Sequence, residues 1–584
     1  MATPKRIQST VNYITSLSPL TLIHIIVITG FIVYANALFN NFVWDDKAFI
    51  IYNPDFQNLN FFHLLSKNQF NHGSYYRPIP AIYFGSLHML FGMQGFFYHF
   101  LQIILHIVNA CLLFYLLKRF TPNIIAFFGA MIFLVHPIQV ESVSYISASQ
   151  SELLFIFGIS AILFSLKASL TLKRLLFISL LLLFSLLTKE TGIIFIIMLL
   201  VYYFLFERAK FSRMVLVVIG VLTTYSIFRF AIGNVFFDNE QIAPIAHLSL
   251  FERIVNIPEI IFYYIKTIFY PSQLAIDQQW VVSRVDFANF YFPLIIDSLF
   301  LFLLISGGYL VYKFEKKLFR TYIFFGIWFF ISMGMLMQIF PLDMTVAERW
   351  MYVPIVGLLG MFGLIFKSIH FRNEYLKLLI LIIAVTILSL LSLRTIIRNT
   401  DWKNSITLYA HDVQVEDNFD IEALYGQELG LIGQYENSIF HFKKSIVLFP
   451  YETNYANLAL SYEKSGNLAA AKAAYNKALT LKGYYIGTHI HSDTTYTNFA
   501  KFLIGQNNLT EASTMLQKAI IDYPTNSTLW LLLSYAEYNL HNQNKALEAA
   551  SQAYKYESND MTYEVLNRIQ NNLPLKINFT KNPQ

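Results

Sequence analysis

The 584-residue sequence predicts an all-α protein in two parts, a polytopic membrane domain followed by an α-solenoid of short repeats. Composition is the first observation behind this: 56% of residues are hydrophobic, 17% aromatic and only 13% charged, with a mean hydropathy of +0.48, about half the charge of ordinary soluble domains. A soluble chain is excluded. The second is distribution, since apolar blocks long enough to cross a bilayer recur from Leu20 to Leu393 and then give way to Asn, Lys, Glu, Tyr and Ala. The third is a self-similar pattern between Ala423 and Ser558.

The apolar blocks predict about eleven spans, at residues 18–38, 95–117, 122–140, 150–167, 174–188, 190–206, 212–231, 291–312, 321–340, 348–367 and 376–393. Basic residues test the assignment, because they collect in cytoplasmic loops. Lys5/Arg6, Lys118/Arg119, Lys167/Lys173/Arg174, Arg208/Lys210/Arg213, Lys313/Lys316/Lys317/Arg320 and Lys367/Arg372/Lys377 all fall on one side. The N-terminus is then cytoplasmic, and the other face carries loop 39–94, segment 232–290 and everything after Leu393. No small-residue cleavage site follows the first span, which is read as a membrane anchor. The stretch Ile257–Tyr270, with Glu259 and Lys266, is read as an interfacial or re-entrant helix. The net charge of +6 flanks apolar blocks and forms no stripe, so no nucleic-acid partner is expected. The lone Cys111 rules out an internal disulfide.

The repeat cores are Gly433–Ser445, Gly466–Ala478 and Asn507–Ala519, with a shorter fourth at Asn544–Ala553. Their steps of about 33, 41 and 34 residues, the small residues at helix crossings, Phe442 and Tyr475 between them, and the terminators Pro450 and Pro524 match tetratricopeptide repeats. The longer step implies an insertion around Lys482–Thr495. One such unit cannot bury its own apolar face, so the units stack and form a groove suited to an extended polypeptide.

Five polar clusters fall on the predicted outer face: Asn40–Asp46, Tyr75–Pro78, His136–Glu141, Thr188–Gly192 and Asp343–Trp350. Ionisable groups at membrane depth are costly and mark function. Together they supply carboxylates able to act as a base and cations able to hold a phosphate. A divalent cation at Asp45, Asp46, His136 and Glu141 is a further candidate on ligand type, although no metal-binding spacing is present. No Gly-rich phosphate loop, nucleophile elbow or dinucleotide fingerprint occurs, which disfavours a cytoplasmic nucleotide-sugar donor.

The ordered set Phe42-Val43-Trp44-Asp45-Asp46, Tyr76-Arg77-Pro78, Phe97-x-His99, Leu105-His106, His136-Pro137-x-x-x-Glu141, Lys189-Glu190, Ala347-Glu348-Arg349-Trp350-Met351-Tyr352-x-Pro354 and Asp401-Trp402, leading into repeats, resembles the transmembrane and tetratricopeptide-repeat O-mannosyltransferases. The likeness covers nearly the whole chain. It implies a GT-C fold that takes a sugar, mannose in this family, from a polyprenyl-phosphate carrier and transfers it with inversion to Ser/Thr hydroxyls of polypeptides. It also implies that the acidic pair holds the catalytic base, Asp45 first and Asp46 second. Arg349, Lys189 and Arg77 become candidates for the donor phosphate. His136, Glu141, Glu190, Glu348, His99 and His106 become supporting residues. No cofactor is required. One departure is Ala148-Ser149-Gln150-Ser151-Glu152, where relatives carry an Arg-Ala-Glu-like step; it leaves the sugar open.

The expected organisation is a transferase domain over 1–400, an extracytoplasmic repeat domain over 401–572 and a tail over 573–584. The abundance of Ile, Lys, Asn and Phe suggests an AT-rich genome and a bacterial inner membrane, with the endoplasmic reticulum as the alternative. Two rival functions remain: a non-catalytic repeat scaffold in the membrane, and a GT-C enzyme that glycosylates a glycan or lipid.

Overall fold

A computed structural model describes residues 4–56, 61–66, 75–166, 170–236, 243–371, 373–481 and 491–575. The chain divides into two compact units, the first running to Val415 and the second starting at Glu416. The described residues are helical, and strand pairing among them is limited to an isolated antiparallel bridge between Gln278 and Val346.

The first unit contains α1 (Pro4–Thr15), α2 (Pro19–Tyr34), α3 (Phe61–Ser66), α4 (Pro78–Phe91), α5 (Gly95–Lys118), α6 (Asn123–Val135), α7 (Val140–Ser144), α8 (Ser149–Ser165), α9 (Leu172–Thr188), α10 (Ile193–Phe206), α11 (Arg208–Ser226), α12 (Leu250–Phe269), α13 (Phe292–Phe314), α14 (Phe319–Gly334), α15 (Pro354–Ser368), α16 (Glu374–Asp401) and α17 (Ser405–Val415). A helix stands at each of the eleven expected spans. Among the described residues six helices are long and apolar enough to cross a bilayer, with α2, α8, α11 and α13 counted together with the helical turns that continue them, and a seventh is gained if α6 and the segment Pro137–Ser144, bent 53° apart, form one span. That is fewer than the eleven expected. Helices α9, α10, α14 and α15 have 14 to 17 residues, below the roughly 20 that a hydrocarbon core demands. Two of them are bounded by polar residues, α9 ending just before Lys189 and α15 starting only after Arg349.

Outward faces of the long helices are apolar. On α13 Leu299, Phe302 and Ile305 are exposed, as are Leu379, Ile382 and Leu390 on α16, so this unit is a membrane protein whose outer surface requires hydrocarbon. Inside, aromatic rings dominate: Trp328 packs edge-on against Phe195 at 5.8 Å, and Phe155 against Tyr352 at 5.3 Å. Gly357 lets α15 lie against α14, where a Cβ would meet the Phe329 amide nitrogen at 2.5 Å. Basic helix ends meet on one side: Lys367 Nζ donates to the Phe120 carbonyl at 2.8 Å and Arg119 to that of Leu166 at 3.3 Å. The helix read as interfacial is α12, which opens on a Ser249–Glu252 capping box, exposes Phe251 and Ile254, and buries Ile260 and Tyr264.

The second unit pairs α18 (Phe419–Leu431) with α19 (Tyr435–Leu448), α20 (Glu452–Lys464) with α21 (Leu468–Ala478), α22 (Asp493–Gly505) with α23 (Leu509–Asp522) and α24 (Ser527–Asn539) with α25 (Gln543–Tyr556); α26 (Asp560–Gln570) follows. Each turn inside a pair holds one left-handed residue, at Gly433, Gly466, Asn507 and His541, and the next amide closes a six-residue loop, as Asn467 does on the Tyr462 carbonyl at 2.9 Å. The sequence register therefore coincides with a backbone register. Small residues sit at the crossings, with Ala471, Ala478, Ala512, Ala519, Ala546 and Ala550 fully buried, and Tyr475 stacks on Phe499 at 5.0 Å. Part of the expected insertion at Lys482–Thr495, and most of the 573–584 tail, lie outside the described residues.

Candidate active site

The first outer loop starts under tight control. Asn36 Nδ2 donates to the Ile396 carbonyl at 2.8 Å, Asn40 Nδ2 to that of Asn399 at 3.1 Å, and the Asn41 amide to that of Lys403 at 3.0 Å, which fixes the chain to the end of α16. Trp44 then adopts φ = +51°, a region that non-glycine residues seldom enter and that clusters at functional sites. The turn sends the two adjacent carboxylates apart.

Asp45 enters a cavity of about 510 Å³. Its Oδ2 accepts the Tyr145 hydroxyl at 3.0 Å. Burial lifts its pKa to about 6 although Tyr145 and the Arg349 charge pull it down. Asp46 turns inward and is fully buried. It accepts the Ser147 amide at 2.8 Å, the Ser147 hydroxyl at 2.6 Å and the Val43 amide at 3.1 Å, while burial pushes its pKa to about 7. With both oxygens engaged and no place in the cavity wall, Asp46 shapes the turn.

The cavity wall also contains Arg77, Lys189, Glu190 and Arg349, joined by Tyr75, Tyr145, Gln150, Arg229 and Asp343. Four of the five polar clusters thus line one space. The fifth stands behind it, where buried Glu141 accepts the Arg349 amide at 2.8 Å and is ion-paired with its guanidinium. Arg349 also lies 5.5 Å from the Trp44 ring centre. Glu190 bridges two arginines, 2.9 Å from Arg77 Nη2 and 3.2 Å from Arg229 Nη1. Arg77 donates further to Gln150 Oε1 at 2.9 Å.

Lys189 differs from these arginines. Among the described residues its ammonium has no hydrogen-bonding partner, and burial together with the charges of Arg77 and Arg349 lowers its pKa to about 7. The same cavity is also lined by the apolar side chains of Leu154, Ile194, Met335, Leu336, Trp350 and Val353.

The remaining sequence candidates lie outside the wall. His136 breaks α6: its Nδ1 accepts the Ile138 amide at 3.1 Å and its Nε2 meets the Ile268 carbonyl at 2.8 Å. His106 reaches the wall through Tyr352, with Nδ1 2.9 Å from the Tyr352 hydroxyl and Nε2 3.0 Å from the Leu134 carbonyl. His99 and Glu348 are fully buried. Among the described residues no three His, Cys, Asp or Glu side chains converge to hold a metal. Asp45, Asp46, His136 and Glu141 accordingly face different partners. Sequence reading missed Tyr145, which carries no signal, and Arg229, whose position inside the apolar run Ile227–Ile232 was a usable one.

These features define a helical membrane protein with a cavity of mixed polar and apolar lining and a repeat array. A tetratricopeptide-repeat model matches residues 453–485. The chain is similar to Protein O-mannosyl-transferase F38B6.6 of Caenorhabditis elegans, 27% identical over 451 residues, covering 73% of this chain and 62% of that relative. It is 22% identical to Protein O-mannosyl-transferase TMTC3 of Homo sapiens over 588 residues, covering 90% of this chain and 63% of that relative. A shorter match, 30% over 125 residues, covers 20% of this chain and 14% of Protein O-mannosyl-transferase Tmtc1 of Drosophila melanogaster. The resemblance read from the motifs holds along most of the sequence, and the chain spans about three fifths of the length of the first two relatives.

Proposed function

We propose that this chain is an inverting glycosyltransferase that moves mannose from a polyprenyl-phosphate carrier to Ser or Thr hydroxyls of polypeptides, with Asp45 as base. The observation that carries the reading is one cavity lined both by Asp45, Arg77, Lys189 and Arg349 and by apolar side chains. Such a space suits a charged headgroup on a lipid tail. Similarity to proteins named O-mannosyl-transferases supports the chemistry.

In this mechanism the acceptor oxygen attacks the anomeric carbon and its proton passes to Asp45 Oδ1, the oxygen not engaged by Tyr145. The bond from the anomeric carbon to the phosphate oxygen breaks, and polyprenyl phosphate leaves with the electron pair. Lys189, Arg77 and Arg349 stabilise the growing negative charge. In this reading the cavity serves the extracytoplasmic side of a bacterial inner membrane, the N-terminus is cytoplasmic, and the repeats hold the polypeptide acceptor.

The test is Asp45→Asn in membranes supplied with polyprenyl-phosphate mannose and acceptor protein. Transfer should fall by about 10²-fold or more with expression unchanged. Full activity in that variant overturns the assignment.

A further inference from the structure

Asp343 lies in the cavity wall opposite no assigned role. Among the described residues lining that space, it is the carboxylate that accepts no hydrogen bond: Asp45 has Tyr145, and Glu190 has Arg77 and Arg229. Several backbone groups around it are fastened. Gln338, fully buried and left-handed at φ = +57°, donates its amide to the carbonyls of Met344 at 2.7 Å and Thr345 at 2.9 Å and accepts the Leu342 amide at 2.9 Å. The Thr345 amide donates to the Gln278 carbonyl at 2.9 Å, and Gln279 Nε2 to the Asp343 carbonyl at 3.2 Å. Asp343 itself is exposed to solvent, on a loop whose neighbours Met344 and Thr345 are buried. The clamped loop holds an unpaired acceptor at the cavity wall.

Several of the cavity's other polar groups have partners or assigned roles, while the buried Ser332 hydroxyl in the same wall is too short and neutral to stand in for a carboxylate. Cations answer the phosphate, Asp45 answers the acceptor hydroxyl, and Gln150 is shared between Arg77 and the Ser147 carbonyl. A neutral hexose offers hydroxyl donors that still need a fixed acceptor. We infer that Asp343 reads the donor sugar, accepting hydrogen bonds from its ring hydroxyls and so setting which sugar is bound; this rests on the proposed lipid-phosphate-sugar donor. Its charge also acts on Asp45, Arg77, Lys189 and Arg349, so a competing role as a mere counter-charge must be separated experimentally.

The experiment compares the full chain with Asp343→Asn for binding of polyprenyl-phosphate mannose, polyprenyl-phosphate glucose and bare polyprenyl phosphate, by displacement. The variant should lose about tenfold to a hundredfold affinity for the preferred sugar donor, the value of a hydrogen bond to a charged group, and its preference between the two sugars should collapse. Bare polyprenyl phosphate should bind as before or slightly tighter. A common shift of all three lipids, or an unchanged sugar preference, overturns the inference and leaves Asp343 as counter-charge. Asp45→Asn is assayed alongside for transfer: retained activity there sinks the base assignment, while the binding comparison decides Asp343 separately.

Discussion

The Tyr145 hydroxyl donates to Asp45 Oδ2 at 3.0 Å, while the same ring lies between Trp44 at 5.3 Å and Trp402 at 6.0 Å. The hydrogen bond favours the ionised carboxylate. Tyr145→Phe should raise the pKa of Asp45 above about 6. Because a base acts only when ionised, the acidic limb of the rate profile should move to higher pH. A loss of roughly tenfold near pH 6, shrinking toward pH 8, is the expected result in a transfer assay run across pH.

Lys189 sets the opposite limb. With its pKa lowered to about 7 and Asp45 at about 6, kcat/KM for free enzyme should trace a bell between those values. Lys189→Arg, permanently charged, should remove the alkaline fall. A fall that persists in that variant would assign it to another group.

Glu190 holds Arg77 and Arg229 together, and Arg229 is almost wholly buried. Glu190→Gln should leave buried guanidinium charge unanswered. A stability loss of about 1–3 kcal/mol is expected, the lower figure reflecting solvent access to Glu190, together with weaker donor binding. Thermal unfolding of purified protein, read beside donor affinity, measures both.

Asp46→Asn separates the two neighbouring acids. An amide cannot accept all three donated hydrogen bonds, so about 1–3 kcal/mol of stability should be lost. Asp45→Asn should leave the unfolding temperature close to that of the parent. The reverse ordering of the two variants would mean that their assignments are exchanged.

In the repeat unit, Gly466 has φ = +86° and open space where a Cβ would stand. Gly466→Ala should therefore cost about 1–2 kcal/mol from backbone strain alone. Asn507→Gly, at φ = +56°, should be neutral or slightly stabilising. Limited proteolysis of the full chain distinguishes them.

Periodicity made the repeats legible because Gly433, Gly466 and Asn507 each mark the same left-handed turn. The apolar blocks likewise located the helices, since burial in lipid leaves a compositional trace. Span number was less accessible: α9 ends against Lys189 and α15 begins only after Arg349, so apolar composition alone overstates their lengths. Asp45 and Asp46 are adjacent carboxylates in sequence, and the turn at Trp44 together with their different partners, Tyr145 for one and Ser147 for the other, separates them. Tyr145 reaches Asp45 across 100 residues, a pairing that no local pattern contains.

The helices that stop short have a geometric consequence. Each residue of α-helix advances about 1.5 Å, so one added turn in α9 would displace Lys189 by about 5.4 Å, more than a hydrogen bond spans. Helix length here works as a depth gauge, and a change of three or four residues far down α9 would retune the cavity without touching any side chain in its wall.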